Sequence, residues 1–103
     1  MRTKKSKAMK FMEELTGGSL TLGEFINAIR MGEGESQVAF AERLGLSRAH
    51  LCDIEKDRKP VSAARAAGFA RVLGYAEAQF VRLAIQAQLE RAGLDLEVEI
   101  KAA

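Results

Sequence analysis

The sequence SQVAFAERLGLSRAHLCDIEKDRKPVS, residues 36–62, predicts two short helices joined by a tight turn. Ser36 and Ser47 stand where helices begin, because a serine side chain accepts hydrogen bonds from the free N–H groups of a first turn. Gly45 stands where the first helix ends, because glycine adopts the left-handed conformation at little cost. The first helix is therefore predicted over residues 37–44 and the second over residues 48–56.

Apolar residues within this stretch repeat at helical spacing. The predicted inward-facing residues are Val38, Ala41 and Leu44 in the first helix, and Leu51 and Ile54 in the second. The small side chain of Ala41 allows the two helices to cross closely, which leaves the outer face of the second helix free to enter a DNA major groove. An ordinary pair of bundle helices is the alternative, but caps, turn and apolar positions all agree with a helix-turn-helix.

The flanking sequence predicts three more helices, which makes the fold class all-α with five helices. Thr21-Leu22-Gly23-Glu24 has the capping-box pattern and opens a helix that ends near Met31. Ser62 begins the next helix, and the last runs over residues 77–92 behind Ala76, a poor N-cap. The inward positions predicted for these helices are Leu22, Phe25, Ile26, Ile29, Ala66, Phe69, Ala70, Leu73, Phe80, Leu83, Ala84, Ala87 and Leu89.

Both ends of the chain differ from the helical domain, which is predicted over residues 20–92. Residues 1–19 are predicted to be a basic arm or short helix, which either contacts DNA phosphates or is a solvated tail. Residues 93–103 contain a strict alternation of apolar and charged side chains, which predicts a short C-terminal β-strand with one face to bury.

The predicted strand has no obvious partner in a helical chain, and an unpaired strand leaves backbone groups unsatisfied. Exchange with the same strand of a homodimer, capture by another protein and disorder all remain open. The last helix is also apolar around more than one face, which favours a second contact surface. The predicted dimer-interface residues are Phe80, Leu89, Leu96, Val98 and Ile100.

Composition excludes several classes of protein. One cysteine and one histidine in 103 residues leave no disulfide framework and no four-ligand zinc site. The sequence contains no paired acid–base site, phosphate-binding loop or cofactor motif, so we predict neither an enzyme nor a bound cofactor. No apolar run can span a bilayer and no secretory signal is present, which predicts a cytoplasmic protein.

Residues 36–62 resemble the Xre/Cro/C1 family of phage-repressor-like helix-turn-helix domains, and the resemblance covers about residues 21–89. It implies a five-helix, lambda-repressor-like fold that binds double-stranded DNA. The implied base contacts are Arg48, Ala49, Asp53 and His50. The implied phosphate contacts are Gln37, Ser47, Arg58, Lys59 and Ser62.

Asp53 among these positions, and its neighbours Glu55 and Cys52, have structural interpretations. Asp53 either accepts from a cytosine amino group or orients a neighbouring arginine, Arg48 or Arg58. Glu55 is expected to pair with a domain arginine such as Arg30 or Arg43. Cys52, beside Leu51, is expected to be a half-buried packing thiol rather than a redox switch.

Taken together, these features predict a sequence-specific transcriptional regulator, a dimeric repressor that binds an inverted-repeat operator through residues 47–56. The order of basic N-terminus, helical domain and terminal strand is also similar to HigA-like antitoxins. That similarity implies an alternative function, in which the chain binds and neutralises a small basic RelE-type ribonuclease toxin and represses its own operon.

Overall fold

The computed structural model describes residues 20–103, and in that range it contains five α-helices and no β-strand. The helices are α1 (Leu22–Gly32), α2 (Gln37–Leu44), α3 (Arg48–Glu55), α4 (Ala63–Leu73) and α5 (Glu77–Arg91). The predicted five-helix, all-α class is confirmed. The predicted basic arm or short helix of residues 1–19 lies outside the described residues.

The described residues fall into two compact units, residues 20–59 with α1, α2 and α3, and residues 60–103 with α4 and α5. In the first unit, α3 packs against both α1 and α2, and in the second α4 packs against α5. Buried apolar side chains of the first unit are Leu20, Leu22, Phe25, Ile26, Ile29, Phe40, Ala41, Leu44, Leu51 and Ile54. Those of the second unit are Ala66, Phe69, Ala70, Leu73, Phe80, Leu83 and Ala84.

Local sequence signals place the helix ends of the first unit. Thr21 and Glu24 form the predicted capping box, with each side chain accepting from the other residue's backbone N–H at 3.0 Å. Ser36 and Ser47 accept from Ala39 and His50 N–H groups, each at 3.1 Å. These bonds satisfy donors that a helix start leaves free, so the caps need no help from tertiary packing.

The prediction that Val38 faces inward is wrong, because Val38 is 60% exposed and Phe40 is fully buried in its place. The reason is helix geometry. Phe40, Ala41 and Leu44 lie within one stripe, whereas Val38 is about 120° away from Leu44 at 3.6 residues per turn. Any surface role of Val38 therefore lies on the outer side of α2.

The predicted β-strand in residues 93–103 is wrong, because the chain from Leu94 to Ala103 forms no strand in the structure. A strand requires a backbone partner, and the part of the chain that the structure describes offers none. Instead, the Gln86 side chain on α5 donates to the Leu96 carbonyl oxygen and accepts from the Val98 N–H, each at 2.9 Å. The segment is thus tied to α5 at two places, through Gln86 and through the Leu94 N–H, which donates to the Leu89 carbonyl oxygen at 3.0 Å.

Candidate nucleic-acid interface

The turn between α2 and α3 fixes the helix-turn-helix. Gly45 has a φ of 71°, in the left-handed region, and its N–H donates to the Glu42 carbonyl oxygen at 3.2 Å. The Leu46 N–H donates to the Ala41 carbonyl oxygen at 2.9 Å, which closes the end of α2 before Ser47 starts α3. The turn therefore sets the angle at which α3 leaves α2.

Two faces of α3 differ in exposure. Leu51, Ile54 and Glu55 are buried, and they hold the helix against α1 and α2. The predicted base contacts lie elsewhere on the helix: Arg48 and Ala49 are exposed, and His50 and Asp53 are half-buried. The outer face of α3 is therefore available to a DNA groove.

Glu55 is the buried charge that organises this unit, with a side-chain exposure of 3%. Its Oε2 accepts from Arg30 Nε at 2.7 Å, and its Oε1 accepts from Arg30 Nη2 at 3.1 Å. Asn27 Nδ2 and Gln37 Nε2 also donate to Oε1, each at 3.0 Å. The expected pairing of Glu55 with Arg30 is confirmed, and the carboxylate joins the end of α3 to both α1 and α2.

The pKa of Glu55 reflects two opposing influences. Burial raises it, since a low-dielectric interior disfavours the charged form. The hydrogen bonds from Arg30, Gln37 and Asn27, together with the Arg30 charge, outweigh burial and hold the pKa below the ordinary value of 4.5. Reciprocally, the hydrogen bond to Glu55 raises the pKa of Arg30. Both groups are therefore charged at neutral pH.

The same network reaches the exposed face through Gln37. Because the Gln37 amide nitrogen donates to Glu55, its carbonyl oxygen is left to accept from Arg48 Nη1, at 3.2 Å. A buried carboxylate thus sets the amide orientation, and the amide in turn holds the guanidinium at the start of α3. The resemblance predicts Gln37 as a phosphate contact. In the structure, Gln37 holds the Arg48 side chain in position.

A second polar cluster follows the end of α3. Asp53 Oδ1 accepts from Arg58 Nε at 3.0 Å, and Asp53 Oδ2 lies 3.6 Å from Lys59 Nζ. The hydrogen bond from Arg58, with the charges of Arg58 and Lys59, holds the pKa of Asp53 below its ordinary value. Of the interpretations open for Asp53, the structure shows the pairing with Arg58. Cys52 is half-buried, with Sγ 3.9 Å from Arg58 Nη2.

The remaining predicted site residues lie at helix starts and in the second unit. The Ser47 and Ser62 hydroxyls cap α3 and α4, where Ser62 accepts from the Arg65 N–H at 3.1 Å. Among the predicted dimer residues, Phe80 has no exposed surface in the single chain and its ring lies 6.0 Å from that of Tyr75. Leu96 is 59% exposed, and Leu89, Val98 and Ile100 are half-buried.

Sequence reasoning missed two residues that support the interface. Asn27 donates to Glu55. Its position three residues before Arg30 could have revealed this role, because residues three apart lie on the same face of a helix. Asp57 follows α3 with a φ of 59° and accepts from Thr21 Oγ1 at 2.9 Å, so it links the end of α3 to the start of α1. Aspartate tolerates the left-handed region better than most residues, which marks such a helix end.

Two other kinds of site, for metal ions and for a membrane, are absent from residues 20–103. In that range no group of three or more histidine, cysteine, aspartate or glutamate side chains could hold a metal ion. No described helix combines the length and the apolar character needed to cross a membrane.

The three-helix arrangement, with a capped α3 exposed beyond a glycine turn, defines a helix-turn-helix domain. Residues 21–83 match the helix-turn-helix domain family, and the chain belongs to it. An immunity repressor protein of Bacillus phage phi105 is 42% identical over 55 residues, which span 53% of this chain and 38% of that protein. A crystal structure of a hypothetical transcription factor from Neisseria is similar with a TM-score of 0.52 and 27% identity, over 68% of this chain and 79% of that chain.

Proposed function

We propose that this protein is a sequence-specific transcriptional regulator that binds double-stranded DNA, and that it represses transcription as a dimer on an inverted-repeat operator. The observation that carries the proposal is the Arg48 guanidinium, which is exposed at the start of α3 and held by Gln37. Fixing a guanidinium before DNA arrives reduces the conformational entropy that binding would otherwise remove.

The exposed face of α3 supplies groups suited to reading bases. An arginine can donate two hydrogen bonds to O6 and N7 of guanine, and a methyl group such as that of Ala49 packs on the thymine methyl. His50 lies next on the helix and is half-buried, and its imidazole nitrogens suit a hydrogen bond to a base edge or a phosphate. Asp53, already paired with Arg58, serves to position that arginine rather than to read cytosine.

Phosphate contacts would fix the register of the domain on the duplex. Arg58 and Lys59 are exposed, and their shared partner Asp53 keeps both cations beside the end of α3. Gln37, Ser47 and Ser62 add neutral polar groups, of which the two serines stand at helix N-termini, where a phosphate is favoured. Binding should therefore weaken as salt concentration rises.

Repression is supported by the immunity repressor of Bacillus phage phi105, to which the helix-turn-helix region is similar. A single recognition helix reads only a few base pairs, so two subunits on two half-sites would provide the needed specificity. No contact among residues 20–103 favours the toxin-binding alternative over DNA binding.

Two substitutions test the assignment of base and phosphate contacts. Arg48→Ala should cost about 1–3 kcal/mol on the selected site and relax specificity at one base pair of each half-site. Lys59→Ala should weaken binding to all sequences alike and reduce the salt dependence of the binding constant. Binding is measured by titrating labelled duplexes selected from a random pool, with single-base variants and several salt concentrations.

Arg71→Ala is the matched control, since Arg71 is an exposed arginine that pairs with Glu77 outside the proposed contacts. It should leave affinity and specificity unchanged. If Arg48→Ala and Lys59→Ala lose affinity equally on every sequence, Arg48 does not read a base.

The oligomeric state is a separate prediction. Light scattering should give roughly twice the chain mass of 11.2 kDa, because two half-sites require two recognition helices. The selected DNA should contain an inverted repeat with half-sites about one helical turn apart. A chain that stays monomeric both free and on DNA would contradict this prediction.

A further inference from the structure

Arg65 differs from the other arginines in the partners of its side chain. Within the part of the chain that the structure describes, the side chain of every other arginine has a polar or charged partner, whereas the Arg65 guanidinium has none. The Arg65 backbone N–H donates to the Ser62 hydroxyl at 3.1 Å, and the residue is exposed. Arg65 therefore places an uncompensated positive charge on the surface near the start of α4.

Helix stability does not explain an arginine at this position. Arg65 stands in the first turn of α4, and a cation there opposes the partial positive charge at a helix N-terminus. The other end of the same helix follows the usual preference, because Arg71 stands in the last turn and pairs with Glu77 at 3.1 Å. The first turns of α1 and α5 follow it too, with Glu24 and Glu77. Arg65 is the exception, so its reason lies outside the helix.

The direction of helical side chains brings Arg65 toward Ser62. Side chains on an α-helix lean toward its N-terminus. Arg71 shows this lean in α4, since its Nη2 lies 3.8 Å from the place of a Cβ at Gly68, about one turn earlier. We expect the same lean to carry the Arg65 guanidinium toward the start of the helix. The Ser62 oxygen accepts from the Arg65 N–H there and keeps its hydroxyl hydrogen to donate.

We propose that Arg65 is a further DNA phosphate contact, which acts with Ser62 at the start of α4. The inference rests on the proposed function, in which Ser62 contacts a phosphate but supplies no charge. A phosphate would provide the negative charge that this helix end favours and that Arg65 lacks. A guanidinium suits it, because two parallel N–H groups can bond two phosphate oxygens. Phosphates are alike in every sequence, so Arg65 contributes affinity and register but no choice of base.

Arg65→Gln tests the contact by removing the charge while keeping a long polar side chain. It should weaken binding to every duplex, a random-sequence duplex included, by about tenfold per bound subunit at 50 mM salt and about threefold at 200 mM. The loss shrinks with salt because one fewer phosphate contact lowers the salt slope of the binding constant by about 0.9. Arg65→Lys keeps the charge and should retain most of the affinity. Titration of labelled duplexes at several salt concentrations measures both variants.

Thermal unfolding separates this role from a structural one. Arg65→Gln should leave the Tm unchanged or raise it, and Arg65→Glu should raise it, since an acid in the first turn is favoured there. Arg65→Glu should nevertheless bind DNA more weakly than Arg65→Gln, because it repels the phosphate. A more stable variant that binds DNA less cannot owe its loss to unfolding. If both variants lower the Tm and the affinity together, Arg65 supports the fold and the proposal is overturned.

Arg71→Gln is the matched control, as it removes the same charge from the other end of the same helix. It should lower the Tm slightly, because it removes the pairing with Glu77 and a favourable cation from the last turn. It should leave affinity for DNA unchanged. Equal losses of affinity from Arg65→Gln and Arg71→Gln would show that net charge rather than a contact at residue 65 is responsible, and would overturn the proposal.

Failure here can be separated from failure of the proposed function. If Arg65→Gln binds every duplex as the native chain does, while Arg48→Ala still relaxes base specificity, this inference is overturned and the proposed function stands. If the native chain selects no sequence but binds random-sequence duplex through Arg65, the phosphate contact stands and the proposed function is overturned. A native chain that binds no duplex at any salt concentration overturns both.

Discussion

Glu55→Ala is expected to lower the free energy of unfolding by about 3–5 kcal/mol, the cost of breaking a buried ion pair by removing one partner. Glu55 is 7% exposed, and its carboxylate takes four hydrogen bonds from three side chains. Its removal leaves Arg30, whose side chain is 12% exposed, without a counter-charge. Urea denaturation followed by circular dichroism measures the loss.

A pair of controls separates charge from packing. Glu55→Gln keeps the shape and some hydrogen bonds but not the charge, so its loss should fall between zero and that of Glu55→Ala. Replacing both partners, with Glu55→Leu and Arg30→Met, should cost less than Glu55→Ala, because no buried charge is left alone. A loss below about 1 kcal/mol for Glu55→Ala would show that the network contributes specificity of structure rather than stability.

Glu55 also gives this stability a pH dependence with a definite sign. Its pKa is lower in the folded chain than its ordinary value of 4.5, so the folded state favours the charged form. The contribution is complete well above pH 4.5 and is lost as pH falls through the depressed folded value. The difference between the native chain and Glu55→Ala should therefore shrink on acidification, and an unchanged difference would contradict the pairing.

Gly23→Ala should be the other large effect, with a loss of about 1–3 kcal/mol or more from overpacking. A Cβ atom at residue 23 would collide with the Ile54 carbonyl oxygen and lie 2.6 Å from Asp57 Oδ1 and 3.2 Å from the Glu55 carbonyl oxygen. Backbone atoms cannot rotate away, so α1 and α3 must separate. The movement should also displace α3 and weaken DNA binding.

Gly68→Ala is the matched control, because among the described residues a Cβ there meets only Arg71 Nη2, at 3.8 Å. Gly68 lies inside α4, where alanine is the better helix former, so this change should raise stability by about 0.5–1 kcal/mol. Thermal and urea unfolding of both variants decide the matter. If the two substitutions change the free energy of unfolding equally, the close approach of α1 and α3 at Gly23 is not the reason that residue 23 must be glycine.

Local signals predicted most of the fold. Serine caps, the capping box and Gly45 act within one helical turn, so their hydrogen bonds follow from neighbouring residues alone. They fixed the starts of α1 to α4 and the turn of the helix-turn-helix. Periodicity found most of the buried positions. Val38 was assigned inward where Phe40 is buried, and Ala87 and Leu89 are only half-buried, because an apolar side chain near a stripe does not reveal on which side it lies.

The C-terminal segment shows how far a pattern can be taken. Alternation determines which side chains share a face, but a strand exists only when another backbone pairs with it. Gln86 pairs with one edge of the segment, and among residues 20–103 no hydrogen bond is made to the other edge. The alternation of apolar and charged residues therefore indicates which face a partner would cover, but it does not predict the structure of this segment in the isolated chain.

The sequence by itself determined the helices, their caps and the class of domain, because those depend on interactions within a few residues. Only the tertiary structure decided which donors surround Glu55, and that the Gln37 carbonyl oxygen accepts a hydrogen bond from Arg48. The paired groups come from different helices and are 11 to 28 residues apart in the sequence. Such contacts depend on how α1, α2 and α3 cross, and the crossing depends on the room that Gly23 leaves beside Ile54. The sequence thus predicted that Arg48 lies on the outer face of α3. It did not predict that a hydrogen bond to Gln37 holds the Arg48 side chain there.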